Sequence, residues 1–505
     1  MKKFCLRRSS LFKLLRESFN TKQKFSKNTQ YRILFLDYKN MNRILVWILY
    51  LLPIAIPLYG FSLININNMG LLPPGFLIGI LLILFFFSYI TVTKNNLRYN
   101  LTSIVTLFLL IVSTAGLINY FTNSFSLGQF ISTWLQVVFV ILIYFVITNI
   151  DFEPREFGNL LRIWVGVGGI LAVYGIYQAV ALNFGLPLDH IPLNNPSYGS
   201  RQKFVAVVGY IRATSVFNEP TYFGSFLISP IILVFSQIKL GSSTKILYKS
   251  KFLNRAILVL LLLGLMASMA LGPILVLCAS FFILLFKDFL RHPGRNLFFL
   301  AILLVCLYII FGFMPGNQME YFTNRVSRLL DVILLENLSS ISATSIGVRF
   351  ASAIASIKMW LSHPFLGVGL NQYNLYVSSI KPSWYTWEET LAPHSTLTST
   401  LSQMGLAGFL AWAGVWVSLL AELNGYIGRA RRCTSKYLAK SLYYLVIASA
   451  LGSIVSLPFF HIQRWFDISV ASLFIMQAIR HQKGELEGDW KSLKGQDKNY
   501  ESNTF

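Results

Sequence analysis

The chain has 505 residues, of which 55% are hydrophobic and only 12% charged, and its mean hydropathy is +0.59. A soluble domain carries about twice that charged fraction, so a soluble globular protein is excluded. The net charge of +23 invites a nucleic-acid reading, but the cations follow the loops between apolar blocks instead of gathering in one basic domain.

The first 43 residues hold twelve Lys and Arg, from Lys2 to Arg43. They are too polar and too basic for a cleavable signal peptide, whose apolar stretch follows a short charged start. Phe4, Leu6, Leu11, Phe12, Leu14 and Leu15 among these cations suit an anionic inner leaflet, and a disordered tail is the other reading. Twelve apolar blocks follow, each predicted to cross the membrane as a helix: 44–62, 71–93, 101–119, 127–148, 163–184, 221–238, 256–270, 273–289, 297–313, 396–420, 441–459 and 467–480. The stretch 255–289 is too long for one crossing and contains Leu271-Gly272-Pro273, so it reads as two helices joined by a tight turn. Glycines 166, 168, 169 and 175 in the fifth block allow close helix packing.

With the N-terminus inside, 34 of the 43 Lys and Arg fall on the cytoplasmic side, which is the positive-inside bias. The expected layout is a cytoplasmic basic tail (1–43), nine helices (44–313) with an outer loop at 185–220, and a large outer loop (314–395). Three more helices (396–480) and a polar, disordered cytoplasmic tail (481–505) complete it. Cys5, Cys278, Cys306 and Cys433 lie in the inner tail, two spans and an inner loop, where no disulfide is expected.

The large outer loop has its own pattern. Val326, Leu330, Ile333 and Leu334 form one stripe of an amphipathic helix over 323–338, with Arg325, Arg328 and Asp331 nearer the other side. A second helix is predicted from about Gly347 to Ser362, stopped at His363-Pro364, and it sets Arg349, Ala353, Ser356 and Trp360 on one face. Gly367-Val-Gly369 then permits a sharp bend, and Trp384, Tyr385 and Trp387 suit a membrane interface.

Asp467 and Arg162 sit at span edges in this reading, and no ionisable group lies mid-span. That argues against an ion-coupled transporter, which keeps such groups at depth. The outer cations are few enough to weigh singly: Arg201, Lys203, Arg212, Arg325, Arg328, Arg349, Lys358, Lys381 and Arg464. Three segments stand out. They are Arg212 through Asn218-Glu219-Pro220 to Gly224, Arg349 through Pro364 to Gly367-Val-Gly369, and Pro393-His394-Ser395 followed by Gln403-Met-Gly405-Leu-Ala-Gly408.

In order, spacing and common outer location these segments resemble the O-antigen ligase / O-antigen polymerase family of bacterial membrane proteins. Two features depart from the commonest form: Ser395 follows the histidine in place of Asn, and Asn218-Glu219-Pro220 is closer to polymerases than to ligases. The resemblance implies an all-α polytopic, GT-C-like glycosyltransferase of the bacterial inner membrane with both termini cytoplasmic. It implies transfer of a glycan from an undecaprenyl-diphosphate-linked donor to an acceptor glycan, with a flippase and a chain-length regulator as further partners. Arginine suits a departing diphosphate because its planar fork stays charged and donates paired hydrogen bonds. Histidine suits activation of a poorly nucleophilic hydroxyl near neutral pH. On this basis Arg212, Arg349 and Arg328 are candidates for binding the diphosphate, and His394 for the base. Glu219 is an alternative base or a partner for Arg212. His461 and Arg464 read as structural. No Asp-x-Asp pair stands outside, and Glu388-Glu389 suits a salt-linked surface better than a cation site, so a metal-independent enzyme without cofactor is expected, and no nucleic acid is implicated. The other function classes are an O-antigen ligase acting on a lipid A core or a protein, a multi-span solute transporter, and a scaffold without activity.

Overall fold

The structure is a computed structural model that describes residues 40–66, 69–71, 73–93, 96–121, 125–193, 206–207, 210–240, 247–248, 250–289, 327, 345–385, 393–430, 433–455 and 461–482. The chain is an all-α, multi-pass membrane protein. Its helices are α1 (Asn40–Gly60), α2 (Pro74–Thr93), α3 (Leu101–Ala115), α4 (Leu127–Asn149), α5 (Pro154–Phe184), α6 (Pro220–Leu240), α7 (Lys251–Ser268) and α8 (Leu271–Phe289). After residues that are not described come α9 (Ser345–Ser362), α10 (Tyr373–Ile380), α11 (Thr396–Arg429), α12 (Cys433–Val455) and α13 (Ile462–Gln482). Two short antiparallel hairpins, Ile64–Ile66 with Met69–Leu71 and Ala206–Val207 with Tyr210–Ile211, are the strands among the described residues.

Nine of the described helices are long and apolar enough to cross a membrane: α1 to α7, α11 and α12. The apolar part of α8 is shorter, Leu271–Leu284, and α13 is more polar yet buried along most of its length. The expected span 297–313 and the amphipathic helix 323–338, with Arg328, lie outside the described residues.

Local chemistry explains where the helices begin and end. Asn100 caps α3 by accepting from the Ser103 N–H at 2.8 Å, and Ser250 caps α7 through Leu253 N–H at 3.2 Å. Pro154 opens α5, where a missing N–H costs nothing, and Gly185 closes it in the left-handed region at φ 67°. The long block does fold as two helices. The turn is made one step earlier than the Leu-Gly-Pro signal, by Met269 at φ 44°, while Pro273 sits in the first turn of α8. Gly168 and Gly175 let α6 approach α5: a Cβ there would meet the Pro230 ring at 2.9 Å and the Phe223 ring at 2.5 Å.

Contacts at the two ends of the bundle keep alternate loops together. At one end Arg98 pairs with Asp151 at 3.0 Å, Asn42 donates to Asp151 O at 2.7 Å, and Glu422 accepts from Asn100, Leu101 and Thr102. At the other end Asn119 donates to Gly367 O at 2.7 Å and Ala213 N–H to Ala267 O at 3.0 Å. One large apolar core runs through the bundle. A second, smaller core of Val348, Ala351, Ala355, Met359, Val368, Tyr373, Val377 and Tyr385 holds α9 and α10 together.

The last helix, α13, starts at Ile462, five residues before the predicted 467, so Asp467 lies in its second turn, fully buried. Arg162 likewise lies well inside α5, where its Nε donates to Leu247 O at 2.5 Å.

Candidate functional site

The end of the bundle that carries the α5–α6 connection and the α9–α10 segment holds two assemblies of polar residues. The first is built on Arg212–Pro220. Gln178, fully buried in α5, accepts from the N–H groups of Thr214 and Ser215 at 2.8 and 2.7 Å, and its amide donates to Ser215 O at 3.4 Å. The turn is closed by Phe217 N–H to Thr214 O at 3.0 Å, with Ser215 at φ 53°. Buried backbone polar groups that have left regular structure must be paired, and one glutamine does this for the turn. The segment therefore enters the bundle in a fixed path, with Arg212 buried and Glu219 half-buried at the start of α6.

Aromatic packing extends this assembly to α13. Tyr59 donates to Asn218 Oδ1, its ring lies 5.9 Å from Phe217, and it meets His461 edge-on at 5.7 Å. His461 in turn stacks on Tyr222 at 6.1 Å, and Gln463 donates to Ser225 O at 3.1 Å. Burial, and after it the Arg464 guanidinium, lower the His461 imidazole to about 3. Unfolded, this histidine takes up a proton near its ordinary 6.5; folded, it stays neutral until about 3. Its contribution to stability is thus complete above the ordinary value and is lost as pH falls towards 3. The expected result is a steeper fall in melting temperature on acidification for the wild type than for His461→Gln. Parallel curves in thermal unfolding of the purified proteins would refute it.

The second assembly carries Arg349 and His394. Arg349 is half-buried on α9, beside the core face of Val348, Ser352, Ala355, Ser356 and Met359. The helix ends at Ser362 as the His363-Pro364 signal predicts, and Trp360 pins the following turn through Pro364 O at 3.1 Å. His394 is half-buried immediately before Ser395, whose extended backbone starts α11. The N-terminus of a long helix beside an imidazole and an arginine-bearing helix favours negative charge.

The two helices are locked together at Gly405. Its backbone (φ 64°, ψ −164°) breaks α11, and the loop after α9 fills the gap. Val368 N–H donates to Ser402 O at 2.9 Å and Gly369 N–H to Gln403 O at 3.0 Å. In return, Leu406 N–H donates to Pro364 O at 2.8 Å and Ala407 N–H to Phe365 O at 3.2 Å. Gln403 Oε1 accepts from Asn371 N–H at 2.7 Å. A helix can be interrupted at membrane depth only where neighbouring protein satisfies the freed groups, and here the loop does so.

The structure thus sets Arg212 and Glu219 on one fixed segment, Arg349 on α9, and His394 just before α11, the helix interlocked with the loop after α9. The contacts that fix each pair belong to different helices. Of His461 and Arg464, read from the sequence as structural, the first is half-buried and the second fully buried, and Asp467 lies one turn further along α13. The i, i+3 spacing of Arg464 and Asp467, which puts both on one face of a helix, was the available signal.

Comparison with known proteins agrees with this arrangement in part of the chain. No curated protein matches it. Residues 256–413 match the model of the O-antigen ligase family, and that interval contains the Arg349 helix, the Gly367–Gly369 bend, His394 and the Gly405 interruption. Over those residues the chain is similar to the O-antigen ligase family.

Proposed function

We propose that the chain is an inner-membrane glycosyltransferase that polymerises undecaprenyl-diphosphate-linked oligosaccharides on the outer side of the membrane. The observation that carries this reading is the interlock at Gly405, which mounts Arg349 and His394 on two helices inside the segment matching the O-antigen ligase family. The orientation follows from charge: Arg43, Arg98, Arg155 and Arg429 lie at the end of the bundle opposite that interlock. Polymerisation is favoured over ligation by Asn218-Glu219-Pro220.

In the proposed reaction an acceptor sugar hydroxyl attacks the anomeric carbon of the donor, and the bond from that carbon to the diphosphate oxygen breaks. His394 takes the hydroxyl proton, with Glu219 as the alternative base. Arg349, Arg212 and Arg328 hold the diphosphate, whose negative charge grows as it leaves. Donors fixed in advance at that position lower the barrier because they need no reorganisation during the reaction. The donor is already activated, so no nucleotide hydrolysis is required on this side.

Deleting the gene in its native host tests the reading. The expected result is a surface polysaccharide reduced to single repeat units, restored by the wild-type gene. An unchanged ladder combined with altered solute uptake would overturn it in favour of transport.

A further inference from the structure

A row of bare hydrocarbon runs along the outward face of α9. Ile357 is 44% exposed, Leu361 one turn on is 66% exposed, and Phe365, in the turn that follows the helix, is 75% exposed. The opposite face is the one that packs: Ala351, Ala355 and Met359 are fully buried in the small core shared with α10. Yet α9 is not among the described helices long and apolar enough to cross a membrane. Three large apolar side chains gathered this closely form a patch that a water-facing surface avoids.

Hydrogen bonds along α3 fix the depth of the row. At the start of α3, Leu101 N–H donates to Glu422 Oε1 at 2.7 Å. Near its end, Asn119 donates to Gly367 O at 2.7 Å, and the next two amides, of Val368 and Gly369, donate to Ser402 O and Gln403 O. The part of α11 level with α3 therefore runs from about Gln403 to Glu422, which is ~20 residues or ~30 Å, the thickness of the hydrocarbon layer. Gln372 is a second gauge: it accepts from Ser126 N–H at 2.7 Å, directly before α4 begins. The 363–369 turn thus lies where the hydrocarbon ends. The exposed row is also continuous with a surface that faces lipid. Ala407 N–H donates to Phe365 O at 3.2 Å, and next to it Leu406, Leu410 and Val417 are exposed in line along one side of the spanning helix α11.

We propose that the C-terminal half of α9 and the turn after it are sunk in the bilayer leaflet at this end of the bundle, with Ile357, Leu361 and Phe365 among lipid chains. The partner is the lipid surface itself. An amphipathic helix in an interface buries its apolar face just below the headgroups and keeps its cations level with them. Lys358, exposed next to Ile357, has the reach to meet lipid phosphates. A segment that reads in sequence as part of an outer loop thereby forms part of the membrane boundary, and the helix carrying Arg349 is held at headgroup level. This lipid contact is independent of the proposed transfer reaction.

Bimane fluorescence in nanodiscs tests the proposal, with Leu361→Cys and Phe365→Cys labelled separately in the full chain after its four native cysteines are replaced by Ser. Leu410→Cys supplies the signal of a side chain in lipid. Brominated phospholipids should quench the labels at 361 and 365 as they quench the one at 410, and aqueous iodide should leave all three bright. Quenching by iodide at 361 and 365 with none by brominated lipid would overturn the proposal, because the row would face water. Protection from both quenchers would also overturn it, because protein, either another part of the chain or a second copy, would then cover the row. If one labelled variant does not fold, the other carries the test.

Discussion

Replacing Arg349 by Ala is expected to lower glycan transfer by ~10²–10³-fold while leaving the amount of folded protein in the membrane unchanged. The two halves of that expectation have separate reasons. Arg349 is half-buried and lies beside, not within, the small core that packs α9 on α10. Truncating it leaves Val348, Ala351, Ala355 and Met359 in place, so the helix retains its packing. What is removed is a permanent cation on α9, which in the proposed reaction holds the departing diphosphate. A single donor aimed at developing charge is worth ~3–4 kcal/mol, which sets the size of the effect. Arg349→Lys should recover only part of the loss, because a point charge cannot reproduce the paired hydrogen bonds of a guanidinium. The measurement is transfer from a purified lipid-linked donor, normalised to protein in the membrane. Activity within about twofold of wild type in the Ala variant would remove Arg349 from the site.

Gly405→Ala is expected to be worse still, because it destroys the support on which the site stands. At φ 64° and ψ −164° the residue occupies a region that is nearly closed to any side chain, at a cost of ~1–3 kcal/mol. An added Cβ would also lie 2.3 Å from both Phe365 C and O and 2.5 Å from Leu366 N. Those are backbone atoms and cannot swing aside. The loop must back away, and the hydrogen bonds from Val368, Gly369, Leu406 and Ala407 are lost together. Gly367→Ala should behave in the same way, since its Cβ would meet Gln403 C at 2.4 Å from the opposite side. Gly169→Ala is the control: nothing lies within 4 Å of its Cβ and it is inside α5, where alanine is the better helix former. Melting temperature and transfer activity should both collapse for Gly405→Ala and hold for Gly169→Ala. A Gly405→Ala protein with wild-type stability would show that the crossing does not support the site.

Much of this architecture was legible in the sequence because it rests on local signals. Apolar run length located the spans, Leu271-Gly272-Pro273 divided α7 from α8, and His363-Pro364 ended α9 at Ser362. Gly367 and Gly369 were read as a bend, and both adopt positive φ, at 67° and 101°. The function of that bend was not legible. Nothing near residue 367 announces that its loop will hydrogen-bond to residues 402–407, since such bonds join backbone groups whatever the side chains are. The structural role of Gln178 was hidden for the same reason: it is one polar residue in an apolar span until the turn at 214–215 is placed against it. The last helix begins at Ile462, earlier than the predicted 467, because apolar run length alone set that start. Arg464 and Asp467 make the first turns of α13 look like loop, yet serines from α6 and α12 receive their charge inside the bundle.

The crossing at Gly405 also dictates an order of assembly. Before the 364–369 loop arrives, the carbonyls of Ser402 and Gln403 and the amides of Leu406 and Ala407 have no donor or acceptor of their own in the interrupted α11. Each such group stranded in hydrocarbon costs several kcal/mol, so the nascent segment cannot settle there as a broken helix. It must either remain near the aqueous boundary or enter as an unbroken helix that later unwinds around the loop. Docking of the loop is therefore the closing event of biogenesis, and a newly translated chain acquires its reactive geometry only when that clasp engages.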